Sequence, residues 1–422
     1  MTNRIEMPRR QLLQIGAGGL ASAIFARWLG PGVANAAPAK PPAPAKALIV
    51  LWMAGGPSHL DTFDPKPGAA TGGPFKAIKT RAPAIKLCEH LPQLAEQAHR
   101  LAVIRSMSTK EGNHTRARYL LHTGYVPNPT VVHPSLGAWV SEELGDKSAD
   151  LPQFVSIGGP SVGAGFLGVA SGPFFVRKAG APPDNARFAA NVDDTRFETR
   201  RAALDAMEAS FEGATGDAMV KGRRAVVAQT VRMMRSPKLS RFSLDDEPEA
   251  LKHAYGDTDF GRGCMLARRL VETGVKVVEV VLDGWDTHKN NFEAVKTRCQ
   301  TLDPAYATLL KDLADRKMLD STLVVWMGDF GRTPKINPNE GRDHYPQAWS
   351  MALAGGGVRG GIVHGETDAE GAKVVRDVVI PNDLMATLVG QLGIDATKSF
   401  NTPSGRPIAV TDGGTAIKAL IA

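Results

Sequence analysis

Carboxylates and imidazoles gather in this sequence where three apolar runs end. The segments are Gly55–Asp64 (GGPSHLDTFD), Asp283–His288 (DGWDTH) and Gly328–Thr333 (GDFGRT), with Gly341–Pro346 (GRDHYP) shortly beyond. In open α/β sheets, ligands occupy the crevice outside the carboxyl ends of the strands. Acidic and histidine side chains brought together there repel one another or stay badly solvated unless something neutralises them. A divalent metal is the simplest neutraliser, and metal-assisted hydrolysis is the chemistry to expect.

Each segment offers particular residues. In the first, Asp61 is the expected metal ligand, with His59 and Asp64 beside it; an Asp just past a strand also commonly caps the next turn. Asp286 and His288 can reach one ion from a single loop, and carboxylate with imidazole suits Zn, Mn or Fe. Asp329 follows the cleanest apolar run, and Asp343-His344 lies 14–15 residues later. Arg332 can bind an anionic oxygen or pair with Asp329. The segment Gly112–Arg116 opens an expected helix, whose free N–H groups and dipole favour anions. Thr115 or Asn113 can point at a phosphate or sulfate there, with Arg116 or Arg118 as clamp. The alternative for Asn113 and Thr115 is a plain helix cap.

These residues must be positioned by a sheet. Leu48–Met53 is apolar without alternation and ends in Gly55-Gly56-Pro57, the pattern of a strand buried on both faces. Leu101–Ile104, Phe154–Ile157, Val275–Leu282, Thr322–Met327 and Ser350–Ala354 read similarly as strands. Helical spacing runs over residues 261–273, 292–317 and 383–392, the first and last stopped by Gly274 and Gly393. Helix, strand, helix, strand with short joints predicts a parallel α/β sheet. Residues 158–253 fit this less well and are expected to form a helical insertion.

The 422 residues carry a net charge of +7 and no basic block, which argues against a nucleic-acid partner. Three of those seven charges sit in residues 1–36, which hold four Arg and one Glu. There Arg9-Arg10 precede a moderately apolar stretch and an Ala34-Asn35-Ala36 cleavage site, the layout of a twin-arginine (Tat) signal peptide. The stretch is short and contains Arg27, so a stable membrane span is not expected. Residues 37–46 (APAKPPAPAK) read as an extended linker and 47–422 as the folded domain. Export to the periplasm or beyond follows, with the Tat translocase as a transient partner. Cys88, Cys264 and Cys299 have no metal-ligand spacing and are expected to be small buried side chains. No Walker A or formylglycine motif is present.

Six blocks taken in order, GGPSHLDTFDPKPG, GNHTRARYLLHTGY, DGWDTHKNNF, GDFGRTPKIN, GRDHYP and HGETDAEG, resemble the exported bacterial family called domain of unknown function 1501. That family looks like a branch of the alkaline phosphatase and sulfatase superfamily. The resemblance implies a three-layer α/β sandwich with a central, mainly parallel sheet and divalent metal (Zn, Mn, Mg or Ca) at the strand ends. It implies metal ligands at Asp61, Asp286, His288, Asp329 and His344, with Asp343 able to contribute, and a nucleophile in Asn113–Thr115. Phe330 stands where the superfamily normally has a second metal-binding His, which counts against two-metal chemistry.

The expectation is an exported metal-dependent hydrolase of phosphate or sulfate esters, acting on a small-molecule or polysaccharide substrate. Thr115 or a water would attack. The alternative is a non-catalytic exported binding or assembly protein on the same fold.

Overall fold

The computed structural model describes residues 44–184, 186–215 and 218–422. The signal peptide expected at 1–36 and most of the linker lie outside the described residues.

The main sheet has eight strands, numbered here in chain order: β1 (Ala47–Met53), β2 (Leu101–Met107), β3 (Phe154–Ile157), β4 (Phe174–Val176), β5 (Val277–Leu282), β6 (Thr322–Gly328), β7 (Trp349–Ala354) and β8 (Ile362–His364). Their spatial order is β8-β2-β7-β6-β1-β5-β3-β4. Only β7 runs against its neighbours, so the sheet is mixed but mainly parallel.

The unbroken apolar runs follow from burial on both faces. In β1, Ile49, Leu51 and Met53 enter one core while Leu48, Val50 and Trp52 enter the other. Burying each such side chain stabilises the fold by about 1.5–3 kcal/mol relative to exposure. The first core is closed by helices Asp259–Glu272 and Asn291–Asp315, and the second by Leu136–Leu144 and Pro381–Gln391. The Asp259–Glu272 helix starts where the Thr258 side chain accepts a hydrogen bond from the Gly261 amide. Cys88, Cys264 and Cys299 are all buried free thiols.

Residues 158–253 are in part a helical excursion. Helices Asp194–Thr215 and Ala218–Arg235 pack on one another, tied by Arg224–Glu212 (2.9 Å) and Arg223–Glu208 (3.1 Å) ion pairs. The same stretch also returns to the sheet as its edge strand β4. No helix among the described residues is long and apolar enough to cross a membrane.

Register sets the site. Met53 lies opposite both Leu282 of β5 and Gly328 of β6, so the loops after these three adjacent strands leave the sheet at one level. A side chain at Gly55 (φ +107°) would strike the Asp286 backbone, and glycine permits that close approach.

Candidate metal centre

Asp286 lies at the middle of the cluster. It follows β5 and is about half exposed. Three imidazoles surround its Oδ1 atom through their Nε2 atoms: His288 at 3.1 Å, His344 at 3.3 Å and His114 at 3.4 Å. The Nε2 atoms of His288 and His344 are 3.0 Å apart.

The other nitrogen of each ring fixes its tautomer. His114 Nδ1 lies 2.6 Å from Asp329 Oδ2, His288 Nδ1 lies 2.7 Å from Asp343 Oδ1, and His344 Nδ1 lies 2.8 Å from the Gly112 carbonyl oxygen. Carboxylate and carbonyl oxygens accept at neutral pH, so every Nδ1 must donate. Each neutral ring then turns a bare Nε2 lone pair inward. His114 Nε2 is buried without a hydrogen-bond partner. A ring N–H held by a carboxylate or carbonyl, with the opposite nitrogen free, is the usual arrangement behind a metal-ligating histidine.

Distances test the fit. Four ligands at tetrahedral corners, with bonds of about 2.1 Å, stand about 3.4 Å from one another. The contacts to Asp286 Oδ1 span 3.1–3.4 Å. Ligand atoms of His114, Asp286 and His344 all lie within 4.8 Å of each other. Those three ligand atoms fit a single cation, and His288 packs beside them against Asp286 and His344.

Protein elements hold these groups. His114 opens the helix His114–Thr123, whose N-cap Asn113 accepts from the Arg116 amide at 3.2 Å. Asp329, leaving β6, accepts from the Gly55 amide at 3.1 Å as well as from His114. His344 lies in a two-residue ribbon, His344–Tyr345 against Gly331–Arg332. Asn337 donates to the His288 carbonyl at 3.0 Å and to Asp343 at 3.3 Å.

Electrostatics divide the site. The hydrogen bond that His114 donates to Asp329 raises the His114 pKa, against the effect of burial. Burial lowers that of His344, and the Gly112 carbonyl opposes it only in part. Burial pushes the Asp286 carboxyl up, but Arg332 and the flanking histidines hold it below the ordinary value. Asp343 is lowered mainly by its bond to His288.

The expected site residues fall into three groups. Asp286, His288 and His344 come together at the centre. Asp329 and Asp343 stand one layer behind, each gripping an imidazole. The rest lie elsewhere or are otherwise engaged. Asp61 is fully buried under Arg342, whose Nε and Nη2 donate to it at 2.7 and 3.2 Å, with Asn291 adding a bond at 2.9 Å. Its place is a structural ion pair rather than the cluster. Asp64 pairs with Lys66 and Arg105 at 3.0 and 3.3 Å, and His59 bonds the Gly371 carbonyl at 2.8 Å. Arg332 is buried and donates to the carbonyls of Gly55, Gly56 and Arg342 and to Asp286, not to Asp329. Arg116 pairs with Glu111 at the surface, and Thr115 is exposed.

His114 is the member that sequence reasoning passed over. The signal was present: an imidazole between Asn113 and Thr115 at an expected helix start, within reach of strand-end loops. The helix cap drew attention to its neighbours instead.

The fold is a mixed eight-stranded sheet between helical layers, with acidic and histidine side chains at its strand ends. The chain belongs to the family described as "Protein of unknown function (DUF1501)", whose model matches residues 45–421. Solved structures similar to it include a sulfatase from Pseudoalteromonas sp., at 12% identity and TM-score 0.39, covering 92% of this chain and 72% of that one. Another is the alkaline phosphatase from the Antarctic bacterium TAB5, at 12% identity and TM-score 0.35, covering 84% of this chain and 100% of that one. No curated protein matches the chain in sequence.

Proposed function

We propose that this chain is a metal-dependent hydrolase of phosphate or sulfate esters, exported by the twin-arginine route. The observation that carries the reading is the set of three inward Nε2 lone pairs around Asp286, each backed by an acceptor on Nδ1. His114, His344 and Asp286 would hold the cation, with His288 beside them and a fourth position left for water or substrate. A nitrogen-rich set of this kind favours zinc or manganese over magnesium or calcium. When bound, the cation would polarise an ester oxygen and lower the pKa of a water.

The chain's own residues supply the rest. Asp329, Asp343 and the Gly112 carbonyl keep the imidazoles in one tautomer and one orientation. Amides at the start of the His114–Thr123 helix that the Asn113 cap leaves free favour an anionic ester beside the centre. Arg116 is exposed and its pair with Glu111 is a surface ion pair, which costs little to break. It can turn to a substrate oxygen, whereas the bonds of Arg332 bind it to the protein. Thr115 lies about 100° round the helix from His114, so a water is the better placed nucleophile. The substrate is an anionic ester of a small molecule or a polysaccharide.

One observation favours the second reading, a non-catalytic binding or assembly protein. Arg332 Nη2 donates to the same Asp286 Oδ1 that the cation needs. Purified protein starting at residue 37 separates the two readings. Bound metal, with ester hydrolysis abolished by Asp286→Asn, supports the enzyme. Metal-free protein, inert on phosphate and sulfate esters with added Zn, Mn, Mg or Ca, refutes it.

A further inference from the structure

We propose that Phe330 is a positioning residue of this centre: its ring sets the planes of His114 and His344 and closes one side of the site to any further cation. The inference rests on the metal-site reading above and adds a role for a side chain that has no donor atom.

Phe330 follows Asp329 directly and is fully buried. Its ring centroid lies 4.8 Å from that of His114, at an interplanar angle of 30°, and 4.7 Å from that of His344, at 43°. The two imidazoles are themselves 4.3 Å apart at 73°. The three rings thus form one packed group. Each imidazole has a single hydrogen bond on Nδ1 to orient it. One such bond fixes a point on the ring but leaves the ring free to swing about that bond. A flat apolar surface against the ring removes the swing, and the direction of Nε2 is then determined.

Phe330 is held in turn. A side chain at Gly56 would strike the Phe330 carbonyl oxygen at 2.6 Å and press on its Cδ2 at 3.3 Å, so glycine there lets Phe330, backbone and ring, seat against the β1 turn. The Arg332 guanidinium carbon stands 5.9 Å from the ring centroid on its path to Asp286. The ring also fixes how many cations fit. It offers no ligand atom and fills the space beside both His114 and His344. The open coordination positions must then face solvent, on the side where the Asp286 and His288 side chains are 46% and 42% exposed.

Cobalt(II) titration of the metal-free protein tests this, read by visible absorption. Wild type should bind one cobalt per chain with a tetrahedral spectrum. Phe330→Leu removes the flat face while keeping an apolar side chain. It should weaken cobalt binding by roughly ten-fold or more, the effect typical of losing outer support for a ligand, and should alter the visible bands. Phe330→Met, which fills volume flexibly, replaces it if the Leu variant does not fold. Phe330→Tyr keeps the ring and should keep the wild-type spectrum. A leucine or methionine variant with wild-type affinity and spectrum, and only a lower melting temperature without metal, would overturn the proposal. Wild type that takes up no cobalt would instead defeat the metal-site reading, and this inference with it.

Discussion

Replacing Asp61 by Asn separates a structural carboxylate from a metal ligand. Asp61 and Arg342 are both fully buried and joined by two charge-assisted bonds, with Asn291 Nδ2 donating to the same carboxylate at 2.9 Å. Arg342 spends its remaining donors on the carbonyls of Thr71, Thr333 and Pro334. An amide at position 61 presents an NH2 to an N–H whichever way it is turned, because both carboxylate oxygens now accept. The guanidinium is left buried without its counter-charge. Breaking a buried pair from one side costs about 3–5 kcal/mol. At about 2 °C per kcal/mol for a large domain, the melting temperature should fall by roughly 6–10 °C. Urea denaturation of the metal-free protein gives the free energy, and cobalt titration of the folded variant gives the site. The variant should lose stability by that amount and lose far less metal affinity than Asp286→Asn. A variant of normal stability that no longer binds metal would refute the argument and return Asp61 to the ligand set.

Other outcomes follow from the same geometry. Asp329→Asn takes the charged acceptor from His114 and should weaken metal binding by about 10–100-fold, read by metal titration, with circular dichroism unchanged. Thr115→Ala should keep most esterase activity, since Thr115 is exposed and turned away from His114 along the helix; loss of all activity would make it the nucleophile. Burial pushes the Tyr125 phenol up to about 12. The stability this group gives is complete below pH about 10 and lost as pH rises toward about 12. Tyr125→Phe should therefore flatten the fall in melting temperature over that range. Arg9-Arg10→Lys-Lys should leave precursor in the cytoplasm, and normal export of that variant would exclude the twin-arginine route.

The central strands were legible because both faces are covered, which makes them read as continuous apolar runs rather than alternating ones. The edge strands β4 and β8 were not, being three residues long and only partly buried. Among the site residues, position after a strand singled out Asp286 and Asp329, which lie beside the histidines, Asp329 through its bond to His114. The same local signal singled out Asp61. What distinguishes Asp61 is Arg342, 281 residues away in sequence, and no local pattern carries that information. Arg332 posed the same difficulty: its charge was visible, but the backbone carbonyls that occupy it were not. His114 was hidden by its position beside a good capping residue. The Phe330 departure was visible in sequence, yet its packing against two imidazoles became clear only from the ring positions.

The most direct test of the central claim is X-ray absorption of the purified, metal-loaded protein, with metal content measured on the same sample. One cation per chain is expected, with imidazole nitrogens near 2.0–2.1 Å and a loss of nitrogen ligation in a His114→Ala variant. A protein without stoichiometric metal, or one whose metal is surrounded by oxygen alone, would contradict it.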